Sequence, residues 1–185
     1  YTRQLVFKNK ILIMTRNMTA SAIFSIAGEL IQNGAFDNGT AFWTLGQYGG
    51  GAATAAVNTN GCQISITSGG SDISHVQLIQ AGLTLEANKS YVISFDVSAT
   101  AARSIDIAVG EASGAFTKYL QQTAAITATK QNLKFEFLPT ASTTNARVEF
   151  NIGKSTTGIT LDNISLTAGS TSLVWNTTLG ALTQK

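Results

Sequence analysis

The chain has 185 residues, a formal net charge of +2 and a charged fraction of only 12%. Its Lys and Arg residues are scattered, which excludes the clustered basic footprint of a nucleic-acid binder. No apolar run approaches the roughly 18 residues of a membrane helix, and the single cysteine, Cys62, excludes an internal disulfide. Such a length suits one domain with extensions, large enough to bury a core unaided. Residues 1–29 read as an N-terminal arm. Its apolar pieces Leu5-Val6-Phe7 and Ile11–Met14 are broken by Lys8 and Lys10, a poor match to the apolar stretch of a signal peptide. The chain opens on Tyr1 rather than Met, as a processed or excerpted chain does. Thr19–Phe24 reads equally as strand or helix. From Leu30 onward strands dominate, beginning with a short apolar strand at 30–33 and a turn at Gly34. Weaker strand signals lie at 53–57, 63–67, 76–79 and 116–120. Stronger ones have strict alternation: Tyr91, Ile93, Phe95 and Val97; Ile105, Ile107 and Val109; Leu133, Phe135 and Phe137; Val148, Phe150 and Ile152. Turns rich in Gly and Asn separate them. In the last strand Ile159 and Leu161 share a face, but the next apolar pair is Ile164 and Leu166. One residue has been inserted near Asp162-Asn163, as a β-bulge requires. Residues 168–185 form a tail with an isolated Val174-Trp175.

Period-two patterns with one wet face predict an all-β fold, an antiparallel β-sandwich or jelly roll with extended N- and C-terminal arms. The pattern expects Trp43, Phe95, Phe135, Phe137 and Phe150 between the sheets. Cys62 reads as a small apolar strand residue.

Catalytic constellations are missing from the sequence. His75 is the only histidine, and no Gly-x-Ser-x-Gly elbow or phosphate loop occurs. The expectation is a chain without catalysis of its own. Asp106, Glu136 and Glu149 alternate with core residues and read as solvated strand-face acids.

Several blocks carry a family resemblance over residues 30–167. They are the opening Leu-Ile-Gln-Asn-Gly-Ala-Phe-Asp (30–37) with Trp43, the Gly-rich Gly49–Thr54, Asp-Ile-Ser-His-Val-Gln (72–77), Tyr91–Asp96, Arg103-Ser104-Ile105, Phe150-Asn-Ile-Gly153 and the closing Ile-Thr-Leu-Asp-Asn-Ile-Ser-Leu (159–166). In this order they resemble carbohydrate-binding modules of the family 4, 9, 16 and 22 type. The resemblance implies a sandwich whose first and last strands pair, with Trp43 plugging the core. It also implies a sugar cleft on the concave sheet built from Tyr48, His75, Gln77, Arg103, Glu111, Phe116, Tyr119 and Asn151. Flat aromatics would cover pyranose faces there, while amides and charged donors meet hydroxyls. Related modules carry an aromatic directly before the histidine, where this chain has Ser74. Other readings stay open: Arg103 as a partner of Asp106, Phe116 as a packed ring, Gln77 and Asn151 as surface amides.

Pairing the two ends would bring Asp37 and Asp162 together, and the resemblance implies a structural Ca²⁺ that relieves their repulsion. Related modules often carry Glu where Asp37 stands. The alternative is that Asp37 caps the Asn38-Gly39 turn and Asp162 bonds backbone at the bulge.

Two functions follow. The first is a secreted, non-catalytic module, a possible fragment of a larger glycoside hydrolase, that binds a β-glucan or xylan-like polysaccharide. The second is a structural subunit of a virion or extracellular filament, displayed on a particle surface, whose arms mediate assembly and whose residues 1–29 hold a homo-oligomer together. Neither involves nucleic acid or a membrane.

Overall fold

The structure, a computed structural model, describes residues 3–7, 10–14, 23–26, 28–169, 171–176 and 181–184. The chain divides into two units, one of Tyr1–Ala27 with Ser170–Lys185 and one of Gly28–Gly169. In the first, β1 (Arg3–Phe7) and β2 (Lys10–Met14) form an antiparallel pair. The strand β3 (Ile23–Ile26) covers Ile23 and Phe24 of the stretch that read equally as strand or helix; Thr19–Ala22 lie outside the described residues. It pairs with Thr171–Asn176, which pairs in turn with Ala181–Gln184, so segments from before and after the second unit share one sheet. The Trp175 side chain and the oligomer contacts expected of the N-terminal arm lie outside the described residues.

The second unit holds β4 (Thr44–Gln47), β5 (Gly51–Asn58), β6 (Gly61–Gly69), β7 (Val76–Leu85), β8 (Tyr91–Ala99), β9 (Arg103–Glu111), β10 (Lys118–Ile126), β11 (Gln131–Phe137), β12 (Thr143–Asn151) and β13 (Ile159–Ala168). They form two antiparallel five-stranded sheets. The front sheet has the order β10-β9-β12-β7-β4 and the back sheet β11-β8-β13-β6-β5. The alternating apolar residues turn inward as expected. Ile105, Ile107, Val109, Val148 and Phe150 from the front are enclosed against Ile93, Phe95, Val97, Leu161 and Leu166 from the back. Phe95 and Phe150 meet edge to face at 4.9 Å across the two sheets, a geometry that aromatic quadrupoles favour. Burying one such ring contributes on the order of 1.5–3 kcal/mol.

Two expectations need correction. Residues 30–33 are not a strand. The opening segment still runs beside β13, joined by an isolated bridge of Glu29 with Thr167 and by bonds from Leu30 N to Leu166 O at 2.9 Å and from Ile164 N to Gly34 O at 3.0 Å, but it forms no continuous ladder. The reason is local. The Glu29 carboxylate takes the N–H groups of Ile31 and Leu166, at 2.8 and 2.9 Å, in place of ladder carbonyls. Asn33 at φ +53° then turns the chain away. Phe135 is half-buried rather than enclosed, because β11 is an edge strand; its ring rests on Phe95 at 6.3 Å. Trp43, Phe137 and Phe150 are buried.

The bulge in β13 stands where the period slipped. Asp162 faces Asp96, and the next pair is Ser165 with Ser94, leaving Asn163 and Ile164 opposite one residue. Asn163 at φ +49° is the turn that restores the inward face, so Ile164 and Leu166 are buried like Ile159 and Leu161.

Cys62 is fully enclosed on β6, and desolvation pushes its thiol up to about 11. Only a thiolate attacks a labelling reagent. A thiol reagent near neutral pH is therefore expected to modify Cys62 only after denaturation. Rapid labelling of native protein, followed by mass spectrometry, would show that this strand opens.

Candidate functional site

The outer face of the front sheet collects most of the expected site residues, and strand register explains how. Gly46 stands opposite Gln77, Gln77 opposite Asn151, Asn151 opposite Asp106 and Asp106 opposite Thr123. One row therefore crosses five strands on the side away from the core. The next row runs Thr44, Ile79, Glu149, Ala108 and Gln121, and a third holds Ala81, Arg147, Gly110 and Lys118.

Hydrogen bonds link the rows. Gln77 Nε2 donates to Asn151 Oδ1, and Asn151 Nδ2 donates to Glu149 Oε1 at 3.5 Å. Gln77 and Asn151 are buried rather than bland surface amides. Burial of amides is tolerated when their polar atoms are paired. Thr123 Oγ1 donates to Asp106 Oδ1 at 2.6 Å, so Asp106 is a partner of Thr123 rather than of Arg103.

Tyr48 closes one end of the first row and is 52% exposed. Its ring sits over Gly46, where a Cβ would lie 2.8 Å from ring carbon Cε2. Glycine at 46 is thus what lets the aromatic approach the sheet beside Gln77. His75 supports this placement. Its carbonyl accepts from Tyr48 N at 2.8 Å, and its Nδ1 accepts from Ser71 N at 3.2 Å. Its ring fills the space over Gly49 and Gly70, both at positive φ. The imidazole is engaged in holding two loops.

Arg103 is similarly engaged. Its guanidinium donates to the carbonyls of Thr157, Ile152 and Gly153 at 2.7, 2.7 and 2.9 Å. Desolvation pulls its pKa below the usual value. Arg103 anchors the loop after β12 to the start of β9.

Phe116 lies at the opposite corner from Tyr48. It is 47% exposed, and the Arg147 guanidinium carbon stands 5.1 Å from its ring centre. Glu111 and Tyr119 sit at the adjoining ends of β9 and β10. Glu111 Oε2 accepts from Thr117 N at 3.4 Å. The Tyr119 hydroxyl is enclosed without a hydrogen-bond partner, and desolvation followed by the Glu111 charge raises its pKa.

Glu149 overturns its reading as a solvated acid. It is 4% exposed and flanked by Lys118 and Arg147. By alternation alone it matches Glu136, which is exposed. The available signal was the spacing of Arg147, Glu149 and Asn151 on one strand face.

Of the two acids expected to share calcium, Asp162 has charged and amide neighbours on the back sheet. On the back sheet Asp162 stands against Asp96, and Lys130 Nζ lies 3.0 Å from Asp96 Oδ2 and 3.5 Å from Asp162 Oδ2. Asn163 and Asn132 donate to Asp96 at 2.9 and 2.8 Å. Asp37 makes none of these contacts. Among the described residues no three His, Cys, Asp or Glu side chains gather as a metal set. A lysine supplies counter-charge to Asp96 and Asp162.

Burial acts to raise the Asp96 pKa, but hydrogen bonds from Asn132, Asn163 and Lys130 and the lysine charge outweigh it. The result lies below the ordinary 3.8. A depressed acid contributes stability that is complete above the unfolded value and lost as pH falls through the folded one. The melting temperature of the wild type is expected to fall as pH drops below 3.8, and Asp96→Asn should fall less steeply over that range. Equal slopes in stepped-pH melts would remove this assignment.

Comparison with known proteins turns on the same stretch of chain. A family model described as a carbohydrate binding domain matches residues 28–157. The chain belongs to the carbohydrate-binding domain family. Among solved structures, a CBM4 domain is 27% identical with a TM-score of 0.69, covering 75% of this chain and 99% of its own. The second N-terminal cellulose-binding domain of Cellulomonas fimi β-1,4-glucanase C is 22% identical with a TM-score of 0.63, covering 80% and 99%. The CBM22-1 xylan-binding domain of Paenibacillus barcinonensis Xyn10C is 14% identical with a TM-score of 0.57, covering 79% and 97%. Curated proteins show no match to the chain. As a carbohydrate-binding domain, the sandwich is a unit that binds rather than one that catalyses. No helix among the described residues is long and apolar enough to cross a membrane.

Proposed function

We propose that this chain binds a β-glucan or xylan-like polysaccharide across the outer face of the front sheet, between Tyr48 and Phe116. The observation that carries the reading is the continuous polar chain from Gln77 through Asn151 to Glu149, with an exposed aromatic at each end. A pyranose chain presents apolar ring faces and equatorial hydroxyls. Exposed aromatics suit the first and paired amides the second. Gln77, Asn151 and Tyr48 make the contacts in this reading. His75 and Arg103 act behind them by holding the loops that shape the face, and Glu111 and Tyr119 border the Phe116 end.

The two named ligand classes are supported by structural relatives that bind cellulose and xylan. Holding a polysaccharide would serve to concentrate a hydrolase on it. Such substrates lie outside the cell, which favours a secreted or surface-displayed chain.

Titration calorimetry against soluble β-glucans and xylans tests the reading. Saturable binding of either supports it. Absence of heat for both at millimolar sugar, with the chain folded, removes it.

A further inference from the structure

The single histidine of the chain works as an acceptor, and it does so beside the turn that carries the exposed Tyr48. Ile73–His75 is one short 3-10 turn, and Asp72 caps it by taking the N–H and the hydroxyl of Ser74 on Oδ1 at 2.9 and 2.7 Å. The His75 side chain folds back over that turn. Its Nδ1 faces two backbone donors, the N–H of Ser71 at 3.2 Å and that of Asp72 at 3.4 Å. A neutral ring that accepts there carries its proton on Nε2. The ring also occupies the space over two glycines. A Cβ on Gly49 would lie 2.1 Å from ring carbon Cε1, and one on Gly70 would lie 2.5 Å from Nδ1. One imidazole thus sits against both the β4–β5 turn and the loop that follows β6. The backbone of the same residue joins them again, since Tyr48 N donates to His75 O at 2.8 Å.

This bonding requires a neutral ring. An imidazole takes up a second proton between about pH 8 and 5, and both of its nitrogens are then donors. A protonated Nδ1 would point its N–H at two others. Turning the ring over brings a C–H to the same place, so Ser71 and Asp72 lose their acceptor either way. The charged groups nearby supply no free substitute. The Asp72 carboxylate is already held by Ser74, and drawing it to an imidazolium releases the cap on the turn. Lys154, in the loop after β12, and Arg103, bonded to the carbonyl of Gly153, bring positive charge to this corner. The Tyr48 phenol is uncharged near neutral pH. Each way of accommodating the proton loosens the turn on which the Tyr48 backbone rests.

We propose that His75 is a pH-sensitive latch on Tyr48: neutral, it ties the β4–β5 turn to the loop after β6, and protonated, it releases that turn. The effect on affinity rests on the polysaccharide-binding reading above; the loosening itself does not. Binding is strongest while the ring is neutral and weakens as pH falls and the ring takes its proton. His75 is a positioning residue in this scheme, acting on sugar only through Tyr48.

The test uses the full chain. Amide NMR without sugar follows the Tyr48, Ser71 and Asp72 N–H signals together with the His75 ring from about pH 8 to about pH 5. Calorimetry measures affinity for a soluble β-glucan and a xylan at both ends of the range. All three amides are expected to move with the imidazole, and wild-type affinity should fall about tenfold, the scale of one or two lost hydrogen bonds. His75→Asn places a carbonyl that does not titrate near the position of Nδ1, so its affinity, whatever its level, should hold steady with pH. A Tyr48 signal that does not follow the ring, or a wild-type affinity that does not change, overturns the latch. So does a His75→Asn affinity that falls as steeply as that of wild type. If wild type binds neither sugar at any pH, the polysaccharide reading fails and the Tyr48 amide alone decides the latch. Should His75→Asn fail to fold or to bind, the wild-type titrations decide.

Discussion

Tyr48→Ala is expected to weaken glycan binding by about 1–3 kcal/mol, the scale of losing one large aromatic contact at a binding face. The ring is half exposed, so its removal leaves the core untouched. Its backbone bonds, to His75 O and from Gly51 N, do not depend on the side chain and should persist. The variant should therefore melt like the wild type while its affinity falls. Gln77→Ala should cost less, about 1 kcal/mol for one hydrogen bond. Equal affinity of Tyr48→Ala and wild type for every glycan bound would mean that sugar does not stack at this end of the sheet.

Trp43→Ala should act on the fold instead, lowering stability by about 3–5 kcal/mol. The indole is buried, 5.6 Å from Phe36 and 6.4 Å from Phe150. Its Nε1 donates to Asn33 O at 3.1 Å. Asn33 in turn bonds Gly39 O and Ala41 O, at 2.9 and 3.0 Å, so the opening loop hangs from this ring. Truncation leaves a cavity at the end of the sandwich and removes one of the two hydrogen bonds that Asn33 O accepts, the other coming from Phe36 N at 3.2 Å. Denaturant unfolding should show a lower midpoint with an unchanged slope. A loss below about 1 kcal/mol would mean that the loop collapses into the space or that the ring is dispensable.

Strand existence was legible in the sequence because alternation is a local property. Tyr91 to Val97 and Ile105 to Val109 announce one buried face without reference to any other strand. The bulge was legible for the same reason, since a period slip between Leu161 and Ile164 needs no partner to be seen. The resemblance of the opening and closing blocks pointed to the family. The short strand Thr44–Gln47 was not legible, because Gly46 interrupts a run of only four residues.

Side-chain partners were decided by register, which no single strand contains. That Asp162 stands against Asp96 and within reach of Lys130 follows from the β8–β13 register, which its own strand does not show. Arg103 was weighed as a ligand donor or a partner of Asp106, but it caps three carbonyls of a loop that starts 49 residues later. Glu149 and Glu136 both alternate with core residues. One lies on an edge strand and stays in water; the other lies on a central strand between two bases and is buried. The sequence by itself determined which residues face inward, because period two encodes a face. Only the tertiary structure decided which outward residues meet, because that depends on strand order and register across the sheet.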